Sequence, residues 1–225
     1  MDMKKLLTTI ALVAPLASFA DGRGYSSDPT VDLSGFAGAN FQSITDGFDT
    51  SDPEGHDLGV RGKIFLGSGL FLAGEYTYAD VDEQFSGSRL RYQLDEYRLG
   101  GGVLLPISPQ FKFGGYGHYV NQQVDTSYLG NTFSGEADGY DIGALAQFDA
   151  SPRVQTYGRV GYMSLEPVSN GGGSNRADGV DLLVGLSYKL SREMSLFGEY
   201  RYTNLQDDVA ESEYSSVRGG VRLQF

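Results

Sequence analysis

The sequence predicts an all-β fold: ten antiparallel strands in up-and-down order, closed into a barrel. Three observations carry the prediction. Apolar and polar residues alternate over ten segments, the period of a strand with two different faces. Short and long connections alternate along the chain, as hairpins that turn at opposite ends require. None of the seven prolines falls inside a proposed strand, where a ladder hydrogen bond would be lost.

The first twenty residues follow another pattern. Lys4 and Lys5 precede an apolar run from Leu6 to Leu16, and small residues follow at Ser18 and Ala20 in "LASFA". That order describes a secretory signal peptide over 1–20, cleaved after Ala20. The run is shorter than the ~20 residues that a membrane helix needs. Residues 21–225 then form one β-domain.

The strands are expected at approximately 31–44, 57–67, 70–81, 89–105, 110–124, 139–149, 153–164, 179–190, 194–204 and 214–225. One face of each is nearly free of charge. The second strand shows Leu58, Val60, Gly62, Ile64 and Leu66, and the fourth Tyr97, Leu99, Gly101, Val103 and Leu105. The eighth shows Val180, Leu182, Val184, Leu186 and Tyr188, and the last Val217, Gly219, Val221, Leu223 and Phe225. Charges sit on the opposite faces. The short connections are "GSG" (67–69), "PISP" (106–109), "ASP" (150–152) and "SRE" (191–193). The long ones, 45–56, 82–88, 125–138, 165–178 and 205–213, are rich in Asp, Glu, Gly, Ser and Asn. "LFLAGEYTYAD" (70–80) is echoed by "SLFGEYRYTN" (195–204), which is hairpin repetition inside one domain.

Such alternation fits a soluble sandwich with its apolar face inward, or a membrane barrel with its apolar face on lipid. The export signal favours the barrel. So do the tyrosines at the loop-side ends of the apolar face: Tyr76, Tyr78, Tyr97, Tyr119, Tyr140, Tyr162, Tyr200 and Tyr202. Rings with a polar tip belong at headgroup level, whereas in a sandwich core each hydroxyl would need a buried partner. Short turns at one end and long polar loops at the other complete the outer-membrane pattern. Closure removes the unpaired edge that lipid would penalise. The formal net charge of −12 excludes general nucleic-acid binding. The absence of cysteine excludes disulfides and thiolate metal sites, and no cofactor or metal is expected.

The terminal strand ending in Phe225, with "FGEYRYTN" (197–204) and "GLSYKLS" (185–191), resembles the OmpA/OmpX-like small outer-membrane β-barrels of Gram-negative bacteria. The resemblance implies that the barrel-assembly machinery reads the terminal strand, here Val221, Leu223 and Phe225. It also implies an outer-membrane location among membrane lipid and lipopolysaccharide. Members usually have eight strands, the alternative count for this chain. Nothing after the barrel corresponds to the peptidoglycan-binding domain of that family, so a cell-wall tether is not carried over.

The charged faces place Arg61, Lys63, Glu75, Glu96, Arg98, Lys112, His118, Asp141, Arg153, Arg159, Asp181, Lys189, Glu199, Arg201, Arg218 and Arg222 in the lumen, with cations in excess. Either these charges pair into a packed network, or they line a narrow water path that favours anions. Inward Gly100, Gly102, Gly114, Gly143, Gly161 and Gly185 are expected to leave space for the second. The acidic loops (Asp46, Asp49, Asp52, Glu54; Asp82, Glu83; Glu136, Asp138; Asp207, Asp208, Glu211, Glu213) provide solubility and repulsion, or meet a basic extracellular partner, or bridge lipopolysaccharide through divalent cations. "DGFDTSDPEGHD" (46–57) lacks the EF-hand ligand order.

Catalysis is the remaining class. A lipid A deacylase-like site needs a serine beside its histidine and a carboxylate behind it. His118 points into the lumen with no serine in its segment, and His56 falls in the first long loop. An omptin-like site needs an Asp-x-His, which the chain lacks, although Asp80 and Asp82 of "DVD" sit at a strand top. The expectation is a non-enzymatic barrel with a structural or surface-interaction role. The alternatives are a narrow anion-leaning pore for small solutes and an outer-membrane lipid or peptide hydrolase.

Overall fold

The computed structural model describes residues 31–45, 50–51, 54–66, 69–85, 88–128, 131–168, 176–207 and 211–225. The expected signal peptide and residues 46–49 and 52–53 of the 46–57 segment lie outside the described residues. The ten long strands are β1 (Val31–Thr45), β2 (Glu54–Phe65), β3 (Leu70–Phe85), β4 (Ser88–Pro106), β5 (Phe111–Tyr128), β6 (Asn131–Asp149), β7 (Val154–Pro167), β8 (Ala177–Lys189), β9 (Met194–Gln206) and β10 (Glu211–Gln224). A two-residue piece, Thr50–Ser51, folds back on Ile44 and Thr45. Each long strand pairs antiparallel with its sequence neighbour, and β1 pairs with β10 from Asp32↔Gln224 to Thr45↔Glu211. The sheet is therefore a closed ten-stranded barrel. At the seam the Phe225 N–H donates to the Val31 carbonyl (2.9 Å) and the Val31 N–H to that of Phe225 (3.1 Å).

The short turns share a device. In Ser108–Phe111, Ser151–Val154 and Ser191–Met194 the serine hydroxyl accepts from the backbone N–H groups two and three residues on, at 3.0–3.4 Å. Proline follows the first two serines, with φ already set for a tight turn. In the β2–β3 turn Gly69 takes a φ of +83°, which a side chain disfavours.

At the other end the strands run further than alternation of apolar residues predicts. Strand extends over 82–85, 125–128, 131–138, 165–167, 177–178, 205–206 and 211–213, with β5 and β6 paired out to Tyr128↔Asn131. Polar side chains stitch this extension. The Ser134 hydroxyl donates to Asp125 (2.6 Å), and the Ser127 and Thr132 hydroxyls lie 3.0 Å apart.

The outward faces carry Leu70, Leu72, Leu99, Leu105, Phe113, Ile142, Val160, Val184, Leu186, Leu196, Val217, Val221, Leu223 and Phe225, all exposed on the isolated chain. From Tyr97 to Ile107, ten steps of about 3.3 Å tilted by about 40° span about 25 Å, the height of an outer-membrane apolar band. Above the tyrosine row the phase of the alternation inverts. On β3, Tyr76 and Tyr78 are followed outward by Asp80 and Asp82, while Ala79 and Val81 turn inward and are buried. Ala79, Leu94 and Tyr214 pack together with Tyr92 and Val124. Val120, Met163 and Leu165 pack with Ala137 and Leu205. Past the band the barrel thus has the pattern of a water-soluble protein, polar outside and apolar inside.

Candidate functional site: a filled lumen

Within the band the inward faces carry charge, and the side chains meet across the axis. Arg98 on β4 is the hub. Its Nη1 donates to Asp141 (2.7 Å), its Nε to Glu96 (2.9 Å), and its Nη1 and Nη2 to Asp181 (3.2 Å each). Arg201 on β9 reaches the same Glu96 (2.7 Å) and Asp181 (3.1 Å). Arg61 on β2 forks to Glu75 on β3 and Glu199 on β9, at 2.9 Å each. Arg159 on β7 lies 3.2 Å from Asp181 and 3.5 Å from Glu75. The barrel is narrow enough for guanidinium groups to span it. Each of these four guanidinium groups therefore finds carboxylates on other strands, as burial of charge demands.

A second cluster bridges the closure seam. Asp57 on β2 is fully buried and accepts from the Tyr214 hydroxyl (2.7 Å), the Ser216 hydroxyl (2.8 Å) and Arg218 Nε (2.7 Å), all on β10. β1 lies between those strands, and Gly38 makes the crossing possible. A Cβ there would come within 2.4 Å of the Val217 carbonyl oxygen and 2.6 Å of Asp57 Oδ1.

Of the sixteen lumen residues expected from the sequence, fifteen lie on inward faces, and most join these networks. His118 is buried beside Asp141 (Nδ1 to Oδ2, 3.7 Å) and against the Tyr116 ring, 4.9 Å between centroids. Lys112 and Lys189 sit near the short-turn end, while Arg153 is exposed in its turn and does not line the lumen. Three further expectations are corrected. The inward glycines do not leave space: a Cβ on Gly102 would meet Phe71 at 2.8 Å, one on Gly161 the Tyr116 hydroxyl at 2.3 Å, and one on Gly185 the Tyr157 ring at 2.4 Å. The cation excess is largely answered by Asp32 and Asp57, whose inward position the sequence reading missed. Asp57 lies four residues before Arg61, so strand parity already puts both on one face. His56 belongs to β2, where it pairs in register with Asp80, and not to a loop. Asp80 and Asp82 face outward with Val81 inward between them, so "DVD" at its strand top does not point over the lumen.

On every strand that contributes to both layers, the apolar plug lies nearer the long loops than the ion pairs do: Val81 above Glu75, Leu94 above Glu96, Met163 above Arg159, Tyr214 above Arg218. On the short-turn side lies a cavity of about 120 Å³, lined among others by Asp32, Arg61, Lys63, Glu75, Phe71, Tyr157, Arg159 and Arg222.

Outside, the tyrosine row is tied to the acidic row above it. The hydroxyls of Tyr76, Tyr119 and Tyr202 donate to Asp95, Asp138 and Glu213. Arg176 contacts Asp178 (2.9 Å) and the Tyr140 hydroxyl (2.5 Å). Arg91 forks onto Asp80 at 3.0 and 2.5 Å, and these hydrogen bonds hold the Asp80 carboxyl below its usual range.

A lipid-facing apolar band, a tyrosine row, a closed ladder and an ionic interior define an outer-membrane β-barrel with a filled lumen. Residues 131–225, which are β6 to β10, match the outer membrane protein beta-barrel domain family, and the fold of the whole chain is a closed ten-stranded antiparallel barrel. No curated protein is similar to it in sequence. Among solved structures it is similar to the outer membrane protease OmpT of Escherichia coli (TM-score 0.56, 10% identity, covering 91% of this chain and 99% of that one). It is also similar to the transport unit of the Escherichia coli autotransporter AIDA-I (0.54, 13%, 92% and 94%) and to the beta domain of the Bordetella autotransporter BrkA (0.53, 15%, 86% and 99%). At these identities the likeness is one of fold.

Proposed function

We propose that the protein is a non-enzymatic barrel that stabilises the outer membrane and presents an acidic rim to the exterior, its lumen shut to solutes. The observation that carries this reading is the double seal, an ion-paired layer in the band and an apolar plug above it. The arginines that would select anions in a pore are held by carboxylates: Arg98 by three, Arg61 and Arg201 by two each. The plug side chains Val81, Leu94, Val120, Met163 and Leu165 occupy the outer half of the lumen, where a cleft for a substrate would have to lie. His118 is packed against Asp141 and Tyr116, and among the described residues no hydrogen bond joins it to a serine, which argues against a hydrolase. Export through the 1–20 signal, assembly through the Phe225 strand, and contact of the acidic rim with lipopolysaccharide or a basic surface partner belong to the same proposal. The purified barrel in planar bilayers is expected to give negligible conductance. Steady, salt-dependent channels would overturn the reading in favour of the narrow pore.

A further inference from the structure

We infer that the cavity in the short-turn half of the lumen binds a compact tetrahedral oxyanion of the phosphate or sulfate class, held by Lys63, Arg159 and Arg222. This goes beyond the proposed function, since a shut barrel needs no such site.

The charge pattern changes along the axis. In the middle layer every guanidinium has close carboxylates. Below it Arg222 has Asp32 alone, at 3.6 Å. Arg159 shares Glu75 and Asp181 with other arginines, and its Nη2 is buried with no hydrogen-bond partner. Among the described residues no carboxylate comes within 4.0 Å of Lys63 Nζ, which lies over the Phe71 ring at 4.7 Å and the Phe65 ring at 5.9 Å. These three side chains line one cavity, with Asp32 and Glu75 as its only acidic lining among the described residues. The site is also built stiffly: Arg222 is packed against Tyr157 (4.9 Å) and Phe197 (5.6 Å).

Cations next to aromatic and aliphatic walls are poorly solvated, so a counter-charge there is worth more than at a surface. The volume of about 120 Å³ admits several waters, each needing about 10–15 Å³, or one small oxyanion. Three donors from three strands suit a ligand with acceptors on several sides. Ser34, Gln147, Gln155 and Tyr157 add neutral polar groups to the lining. The ladder is closed around the cavity, so the ion arrives through the lumen mouth and not from the lipid side.

The test is calorimetric titration of inorganic phosphate into the full barrel, folded in neutral detergent and held at constant ionic strength with chloride. One saturable site is expected. Lys63→Met and Arg222→Gln should each weaken it at least tenfold, and Arg91→Gln, on the outer face, should leave it unchanged. Sulfate should displace phosphate, and acetate should not. No saturable binding, displacement by acetate as effective as by sulfate, or unchanged affinity in Lys63→Met would overturn the inference. Folding of each variant is checked by its heat-modifiable mobility on gels. Should neither lumen variant fold, the competition series on the parent protein decides.

Discussion

Arg98→Met removes the hub of the lumen while keeping a side chain of similar length. Its cost follows from what each carboxylate retains. Glu96 keeps Arg201 (2.7 Å) and the Gln122 amide (2.8 Å). Asp181 keeps Arg201 (3.1 Å), Arg159 (3.2 Å) and the Thr203 hydroxyl (2.8 Å). Asp141 loses its one guanidinium hydrogen bond and is left with the Tyr116 hydroxyl (3.0 Å) and His118 (3.7 Å). The change therefore strands one buried carboxylate, not three. Removing one partner of a buried pair costs about 3–5 kcal/mol. Taking ~4 kcal/mol, the folded-to-unfolded ratio falls about a thousandfold. Adding Asp141→Asn should return about 1–3 kcal/mol, the range of coupling between residues in one network. Reversible urea titration in lipid vesicles, read by tyrosine fluorescence and gel mobility, measures both. A loss below ~1 kcal/mol, as for an exposed pair, would refute the reasoning. So would a second substitution that brings no recovery.

Three further outcomes follow from other parts of the barrel. Gly38→Ala should destabilise by about 2 kcal/mol or more, because its Cβ would strike the Val217 carbonyl oxygen at 2.4 Å. Gly35→Ala, with nothing within 4 Å, is the matched control in the same titration. Arg91→Gln tests the outer rim by pH. Asp80 has a folded pKa below its unfolded value of about 4, so its stabilisation is complete above that value and fades as pH falls through the folded one. The gap between parent and variant in urea midpoint should accordingly be present at pH 7 and shrink at pH 3. Deleting Phe225 should lower outer-membrane abundance in cells, while unassisted refolding in detergent is largely retained. Equal loss in both would locate its role in stability and not in assembly.

Lipid made the fold legible. A face that touches hydrocarbon tolerates no charge, so Leu58 to Leu66 or Val180 to Tyr188 reads as strand with orientation attached. The network was legible as a set of inward charges, but not as pairs. Partners such as Arg98 and Asp181 are 83 residues apart, and only closure of the barrel brings them together. The plug was missed for a different reason. Val81 and Met163 continue the alternation past the tyrosine row, where the outside solvent changes from lipid to water and the two faces exchange roles. A reading that keeps charge inward throughout would assign Asp80 to the interior, although it shares the parity of outward Tyr76 and Tyr78.

That exchange of roles fixes how deep the barrel floats. Sinking by a single pair of residues would drag Asp80, Asp95, Asp138, Asp178 and Glu213 into the acyl chains, and rising by as much would lift leucines into water. Tilting offers little escape, because the acidic row runs around several strands at one height. In a bilayer of the wrong thickness it is then the surrounding lipid, compressed or stretched at the wall, that must adjust.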